Sequence, residues 1–244
     1  MEIRGERECK ECGARWSYYE TGSIDCPSCG SLQSRGLGDR TVHTASPMEL
    51  DLTAARSAAA DGTLDDGLRL ARERCQEYTR RAGFIDGGVL EPLDDTYLIA
   101  LELRYVAEFV EHSLRLPDDA EHYVLGLLRE GDRDERPNPD AVPDTLHAAR
   151  GLAYADAVDH YRRELRDWLD NERAEESALD SDTTVRTALG TLDDRVRWVH
   201  ALDGDVEPRT VERLVHAARD LGTALREDDD GALVNADDRL KRIG

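Results

Sequence analysis

Apolar residues recur every three or four positions from about residue 45 onward, which is the spacing of one face of an α-helix. Proline, glycine and clusters of acidic residues divide this pattern into separate segments. The predicted helices begin near Ser46, Thr63, Asp94 and Pro117 and cover the stretches around 144–172, 185–199, 211–225 and Leu240. No internal repeat relates these segments, so the pattern predicts an irregular all-helical bundle for residues 45–244.

The helix that begins at Asp94 has the widest apolar face of the chain. Leu98 and Leu101 lie on one stripe, while Ile99 and Leu103 lie on the neighbouring stripe. A helix that is apolar over so much of its circumference is buried on several sides. We therefore expect this helix at the centre of the bundle.

Side chains near two other helix starts are typical of N-caps. Ser46 precedes Pro47, which suits the first helical position, and Thr63 stands three residues before Asp66. Cys75 lies on the apolar stripe of the helix that follows Thr63, so we expect it to pack in the core.

Two connections contain residues that interrupt helices. Residues 83–88 are rich in glycine and are predicted to form a flexible connector, and residues 131–143 are rich in proline and charge and are predicted to form a mobile loop.

The first 44 residues have a different pattern. Residues 14–20 are typical of a β-strand and end in a Thr-Gly-Ser turn, and a second short strand is predicted for residues 31–36. If residues 14–20 are a strand, Tyr18 and Tyr19 point to opposite faces of the sheet.

Four cysteines in this region have the spacing C-x2-C-x13-C-x2-C. Cys9 and Cys12 form the first pair, Cys26 and Cys29 form the second, and a glycine follows each pair directly. Paired C-x2-C motifs let two tight turns direct four thiolates at one tetrahedral metal ion. The sequence therefore predicts a mainly α protein in which a small four-cysteine zinc ribbon, with a short β-sheet over residues 1–44, precedes the helical bundle.

Residues 9–30 resemble the zinc ribbons of transcription factor B-type proteins, in which the metal is structural and the sheet contacts polymerase, nucleic acid or protein. They also resemble the rubredoxin-like module of rubrerythrins, in which similar cysteine pairs hold a redox iron. A rubrerythrin would add a di-iron bundle with Glu-x-x-His pairs, and none of the seven histidines has a glutamate three residues before it. We therefore assign zinc and keep an iron electron-transfer module as a minor alternative.

The resemblance to transcription factor B ends with the ribbon, because no pair of cyclin-like repeats follows residue 45. Acidic residues outnumber basic ones 53 to 32, and Lys10 and Lys241 are the only lysines. This composition is typical of halophiles, whose carboxylate-rich surfaces keep proteins dispersed in concentrated salt. As a whole, the chain resembles an uncharacterised haloarchaeal family that joins a zinc ribbon to a helical domain.

No apolar run approaches the length of a membrane span, and the N-terminal residues lack a hydrophobic signal region. We expect a cytoplasmic protein without membrane contact. A reducing cytosol also favours thiolate ligation over disulfides for the four clustered cysteines.

Over residues 1–40, six basic side chains face seven acidic ones, so almost all the negative charge lies downstream. The ribbon is therefore the surface that least repels a phosphate backbone. An exposed Tyr19 beside Arg15 or Arg35 would stack on a base. In the competing interpretation Trp16 and Tyr18 form the ribbon core and Tyr19 covers a neighbouring helix.

The sequence contains no phosphate-binding loop, dinucleotide fingerprint, nucleophile elbow or H-E-x-x-H helix, so we expect no enzymatic activity. Two hypotheses follow. In the first, the ribbon binds nucleic acid or the transcription apparatus through Arg15, Tyr19 and Arg35, and the helical domain regulates or dimerises. In the second, the protein is an interaction scaffold in which the zinc is purely structural.

Overall fold

The structure is a computed structural model that describes residues 2–113, 115–131, 133, 136–172 and 179–243. Helices dominate it, and short strands are concentrated near the N-terminus, which confirms the mainly α fold. The N-terminal elements are β1 (Glu2–Ile3), β2 (Glu6–Cys9), β3 (Arg15–Ser17), α1 (Tyr18–Thr21), β4 (Ser34–Leu37) and β5 (Thr41–Val42).

The elements that follow are mainly long helices. They are α2 (Thr53–Asp61), α3 (Leu64–Arg81), β6 (Ile85–Asp86), β7 (Val89–Leu90), α4 (Asp95–Glu111), α5 (Asp118–Glu130), α6 (His147–Glu172), α7 (Leu179–Ala201), α8 (Pro208–Glu227) and α9 (Asp230–Leu240). Two 3-10 turns, Pro139–Ala141 and Asp144–Leu146, precede α6.

The ribbon contains a three-stranded antiparallel sheet with β2 at its centre. Glu8 of β2 lies opposite Arg15 of β3 on one side and Arg35 of β4 on the other. A second pairing joins β1 to β5 antiparallel and so connects the start of the ribbon to its end.

Helix α4 lies between two parts of the apolar core. Its residues Leu98 and Leu101 belong to the part that contains α6, α7 and α8, whereas Ile99 and Leu103 belong to the part that contains α2, α3 and α5. The prediction of a central helix is therefore confirmed, because α4 packs on two opposite sides.

The predicted start of α3 is confirmed, since the hydroxyl of Thr63 accepts a hydrogen bond from the Asp66 amide. The start of α4 is also confirmed, because the Asp94 carboxylate accepts one from the Tyr97 amide. Cys75 is fully buried, as predicted, and burial raises the pKa of its thiol to about 12.

The predicted helix start at Ser46 is wrong. The helix begins at Thr53, and the chain before it is not helical. Leu50 and Leu52 are both buried in the core. In a helix that began at Ser46, these two leucines would point to roughly opposite sides, because residues two positions apart do not share a helix face. Asp51 instead accepts a hydrogen bond from the Thr53 amide at 2.9 Å.

The predicted flexible connector at residues 83–88 is also wrong in part. Strands β6 and β7 form an antiparallel hairpin whose two turn residues are Gly87 (φ 56°) and Gly88 (φ 90°). Positive φ at both positions is the geometry of a tight two-residue hairpin turn, and glycine adopts it without strain.

The described part of the loop 131–143 is held against the helices, contrary to the predicted mobility. The side chain of Arg136 is buried, with its Nε 2.9 Å from Asp95 and its Nη2 2.7 Å from Glu212. Its guanidinium also lies over the ring of Tyr154, 5.4 Å from the centroid. The loop therefore contributes one cation to the interior.

Arg150 contributes a second buried cation beside the first. It donates to the Tyr123 hydroxyl at 2.9 Å and to Glu212 at 3.2 Å, and it lies 3.7 Å from Glu102. Glu102 accepts hydrogen bonds from the hydroxyls of Tyr123 and Tyr154. Side-chain exposure is 1% for Arg150 and 0% for Glu102, so this is a network of charges shielded from water.

Gly67 marks the closest approach of α2 and α3. A Cβ at this position would lie 2.6 Å from the Cβ of Ala59 and 2.8 Å from the carbonyl oxygen of Ala55. We expect Gly67→Ala to lower the free energy of unfolding by about 1–3 kcal/mol through overpacking, although alanine is the better helix former by about 1 kcal/mol.

Chemical denaturation of the variant against the wild type measures this change. Gly190→Ala on α7 is the matched control, because a Cβ there meets no atom within 4 Å, and it should raise stability by about 0.5–1 kcal/mol. Stabilisation by both alanines would contradict the close helix crossing.

Within the described ranges, no helix has both the length and the hydropathy that a membrane span requires.

Candidate metal centre

The four predicted ligands meet at one point. The Sγ atoms of Cys9, Cys12, Cys26 and Cys29 all lie within 4.8 Å of one another, with 3.7 Å between Cys9 and Cys29 and 3.5 Å between Cys12 and Cys26. Among the described residues, they are the only group of three or more cysteine, histidine or acidic side chains placed closely enough to hold a metal ion.

The two cysteine pairs have the same local backbone. In each pair the amide of the following glycine donates to the carbonyl of the first cysteine, from Gly13 to Cys9 at 3.1 Å and from Gly30 to Cys26 at 2.8 Å. Both glycines have positive φ, at 74° and 71°. This left-handed conformation closes the turn, which is why glycine suits this position in both pairs.

The sulfur distances fit a tetrahedral ion. Four thiolates at about 2.3 Å from one metal are separated from each other by about 3.8 Å, close to the two contacts above. Four protein ligands also fill a tetrahedral shell, so a metal held here has no open position for a substrate. Four sulfur ligands suit zinc and also suit iron.

The backbone amides and the neighbouring sulfurs shift the pKa values of these thiols in opposite directions. The backbone amide of Cys12, together with that of Glu11, lowers the pKa of the Cys9 thiol to about 7. For Cys29, the Ser31 amide lowers the pKa, but the neighbouring sulfurs outweigh it and raise the pKa to about 12. Four thiolates at this distance repel one another, and a bound metal cation removes that repulsion.

The ribbon's own apolar core is small. It consists of Cys9, Cys26 and Trp16, with Ala14 packed against them. The indole Nε1 of Trp16 donates to the carbonyl of Ser23 at 3.0 Å, which holds the segment before the second cysteine pair against the sheet. Two of the three buried side chains belong to the cysteine cluster that could hold a metal ion, so loss of a bound metal would disturb this core.

Arg15 and Arg35 lie on the same face of the three-stranded sheet. Both bind Glu8 between them, Arg15 at 2.9 Å and Arg35 at 2.8 Å, and their side chains are 68% and 59% exposed. Hydrogen bonds from Arg35 and then Arg15 lower the pKa of Glu8 below its ordinary value. The structure therefore brings these two candidate residues together as an exposed row of two guanidinium groups around one carboxylate.

Tyr19 lies elsewhere, and the predicted strand over residues 14–20 is wrong in its second half. The strand ends at Ser17, and Tyr18 and Tyr19 belong to the helical turn α1. The hydroxyl of Ser17 accepts from the Glu20 amide, so this serine caps the turn. The two tyrosines therefore do not alternate across a sheet.

The ring of Tyr19 faces the helical part of the chain. Its centroid lies 4.6 Å from that of His43, its hydroxyl is 2.6 Å from the Thr41 hydroxyl, and a Cβ at Gly87 would lie 2.7 Å from the ring. Tyr19 thus packs between the end of the ribbon and the hairpin β6–β7. This placement agrees only in part with the competing interpretation. Tyr19 does cover a neighbouring element, but that element is a hairpin and not a helix, and the buried core of the ribbon contains Trp16 without Tyr18.

His43 is a residue of this junction that sequence reasoning missed. Burial lowers the pKa of His43 although Asp86 opposes the change, and its Nδ1 accepts a hydrogen bond from the Gly87 amide at 3.2 Å. The sequence signal nearest to this contact is the Gly87-Gly88 pair, which is typical of a hairpin turn. In the structure this turn packs against His43.

The backbone continues the contact after His43. The amides of Thr44 and Ala45 both donate to the carbonyl of Ile85, and the amide of Gly88 donates to the carbonyl of Val42. The chain between ribbon and helices is therefore hydrogen-bonded to the hairpin.

A buried glutamate of α6 holds this segment from the other side. Glu164 accepts hydrogen bonds from the Thr44 hydroxyl at 2.7 Å and from the Phe84 amide, and its Oε1 lies 3.4 Å from Nε2 of His160. Burial raises the pKa of Glu164, but the hydrogen bonds from His160, Thr44 and Phe84 outweigh it and leave the pKa below its ordinary value. Glu164 thus joins the linker, the hairpin and α6.

Comparison with known proteins places both parts of the chain in one family. A family model described as "Family of unknown function (DUF7117)" matches residues 1–240. No curated protein and no solved structure matches the chain significantly. The match covers the four cysteines and almost the whole helical part together.

Proposed function

The chain belongs to the DUF7117 family of unknown function, and we propose that it is a non-enzymatic zinc-ribbon protein. In this proposal the ribbon binds nucleic acid or the transcription apparatus, and the helical part serves as a regulatory or interaction domain. The observation that carries the proposal is the arginine row, in which the exposed Arg15 and Arg35 flank Glu8 beside the four-cysteine cluster.

The chemistry of this row suits an anionic partner. A guanidinium group donates two parallel hydrogen bonds to a phosphate or a carboxylate. Exposed ion pairs are weak, so Arg15 and Arg35 exchange Glu8 for a partner's oxygen atoms at little cost. The ribbon is also nearly neutral within a chain of net charge −21, which makes it the surface that an anion approaches most easily.

The position of Tyr19 changes the expected mode of binding. With its ring packed against His43, Tyr19 is not on the face formed by Arg15 and Arg35. Recognition by this face therefore depends on hydrogen bonds from the two arginines rather than on stacking of a base.

A second candidate function is an interaction scaffold in which the zinc is purely structural. It is favoured by the junction at residues 41–45, where Val42 packs in the main helical core and Tyr19 packs on His43. In this function the ribbon stabilises the surface of the helical domain, and the partner binds the helices.

One comparison tests both functions. We expect the double substitution Arg15→Ser and Arg35→Ser to reduce the recovered nucleic acid or polymerase by about tenfold or more, with the metal content unchanged. Tagged wild-type and variant proteins are recovered from native cells at native salt, and the retained protein and nucleic acid are identified. The matched control is Arg69→Ser with Arg74→Ser, two similarly exposed arginines of α3.

If the ribbon variant retains the same partners as the control, the ribbon is not the recognition element. That result would exclude the first function and favour the scaffold.

A further inference from the structure

Helices α2 and α5 border an open groove on the side of the helical domain formed by the first half of the chain. The groove has a volume of about 470 Å³. Its walls come from Arg56, Ala59 and Ala60 of α2 and from one face of α5. The spacing of three and four residues shows that each helix presents a single face to it.

The α5 wall is a stripe two turns long. His122, Leu125, Gly126 and Arg129 follow one another at intervals of three, one and three residues, and Leu125 is an exposed leucine. From His122 to Arg129 the helix rises about 10 Å. The groove therefore matches the length of about two turns of a second helix.

Small residues along both helices make the groove deep enough to hold a side chain of a partner. Ala59 and Ala60 line one side, and Gly126 lines the other, where a Cβ would meet no atom within 4 Å. A glycine in the middle of a helix costs about 1 kcal/mol relative to alanine, and no neighbouring contact in the described part of the chain requires it. The missing side chain leaves room for a partner.

The charge of the groove is opposite to that of the protein. Acidic residues make up 53 of the 244 residues, yet none of the eight described residues that line the groove is acidic, and two of them, Arg56 and Arg129, are cationic. Two arginines beside an apolar floor are complementary to a helix with an apolar stripe and acidic flanks.

We propose that this groove binds an acidic amphipathic helix of a partner protein. The apolar stripe of that helix lies over Gly126 and the two alanines, and its carboxylates pair with Arg56 and Arg129. This surface is separate from the ribbon, so the proposal does not depend on the function proposed above.

The two arginines are positioned for this role. Arg56 donates to the carbonyl of Leu128, which fixes its guanidinium at the border of α5, at a distance of 3.4 Å. Arg129 pairs with Glu130 in a contact that leaves it 70% exposed. Such an exposed pair is weak, so a partner carboxylate competes with Glu130 for Arg129.

The test uses a synthetic peptide of about 16 residues, with leucines spaced i, i+3, i+4 and i+7 and glutamates elsewhere. Fluorescence anisotropy measures its binding to the full chain. A scrambled peptide of the same composition, and hence the same charge, is the control for the peptide. Because a chain of net charge −21 repels an anionic peptide, adsorption without a specific site is disfavoured.

Two substitutions locate the binding. Gly126→Leu fills the groove and should weaken binding about tenfold or more, whereas Gly190→Leu on α7, where a Cβ also meets no atom, should not. Arg129→Glu should weaken binding about three- to tenfold.

The proposal is overturned if the scrambled peptide binds as well as the amphipathic one, if the wild type binds neither, or if Gly126→Leu binds like the wild type. Sedimentation of the same proteins identifies another occupant. Self-association of the wild type that Gly126→Leu abolishes would make a second copy of this chain the occupant and would also overturn the proposal.

Discussion

Replacing Cys26 by serine is expected to release the metal and to unfold the ribbon while the helical domain remains folded. Apart from Trp16, the buried core of the ribbon consists of Cys9 and Cys26 of the four-cysteine cluster. So small a core does not offset the loss of chain entropy by itself. In ribbons of this size a structural zinc contributes on the order of 10 kcal/mol to folding.

Two measurements check this result. Metal analysis should fall from about one ion per chain to almost none, and amide hydrogen exchange should lose its protection in residues 2–42 but keep it in α4 and α6. Ser28→Ala, an exposed residue between two ligands, is the matched control and should retain the metal. Full protection of the metal-free variant would show that the junction with the hairpin alone folds the ribbon.

Replacing Arg150 by methionine is expected to lower the free energy of unfolding by about 3–5 kcal/mol. Methionine is unbranched like the aliphatic part of arginine, but it is shorter and has no charge. Its introduction leaves Glu102, which is fully buried, with the hydroxyls of Tyr123 and Tyr154 as partners and without Arg150. A buried carboxylate without a nearby cation is costly.

Chemical denaturation gives the size of this change. Arg72→Met is the matched control, since Arg72 forms an exposed pair with Glu111, and it should cost less than about 1 kcal/mol. Adding Glu102→Gln to the Arg150→Met variant should recover part of the lost stability, because it removes the uncompensated charge. Equal effects of the two arginine substitutions would contradict a buried charge network.

The four-cysteine cluster was predictable because the geometry of each cysteine pair is local. Each C-x2-C-G pair forms its own turn, and only the meeting of the two pairs depends on the rest of the fold. The start of α3 was predictable for the same reason, since the Thr63 hydroxyl caps it three residues away.

The features that sequence reasoning missed depend on distant contacts. Ser46 and Pro47 have the local chemistry of a helix start, but the burial of Leu50 and Leu52 outweighs it. Tyr19 lies in the junction because its ring packs against His43 and against a hairpin more than 60 residues away in the sequence. A propensity scale includes no such contact.

The burial of the charged residues could not be predicted from the sequence for a further reason. In a chain with 53 acidic residues, nothing in the sequence distinguishes Glu102 from a carboxylate in water. Its burial follows from its place on α4, a helix that packs on two opposite sides.

The hydrogen bonds that tie residues 42–45 to the hairpin β6–β7 fix the chain between the ribbon and the helices. These bonds restrict how far the arginine row can move relative to the α2–α5 groove. If a partner engages one of these two surfaces, the effective concentration of the other depends on the geometry of the junction. Under both proposals together, a partner whose two contact points match the spacing of the two surfaces gains avidity, whereas one with a different spacing engages a single surface. The junction would then select partners by their shape.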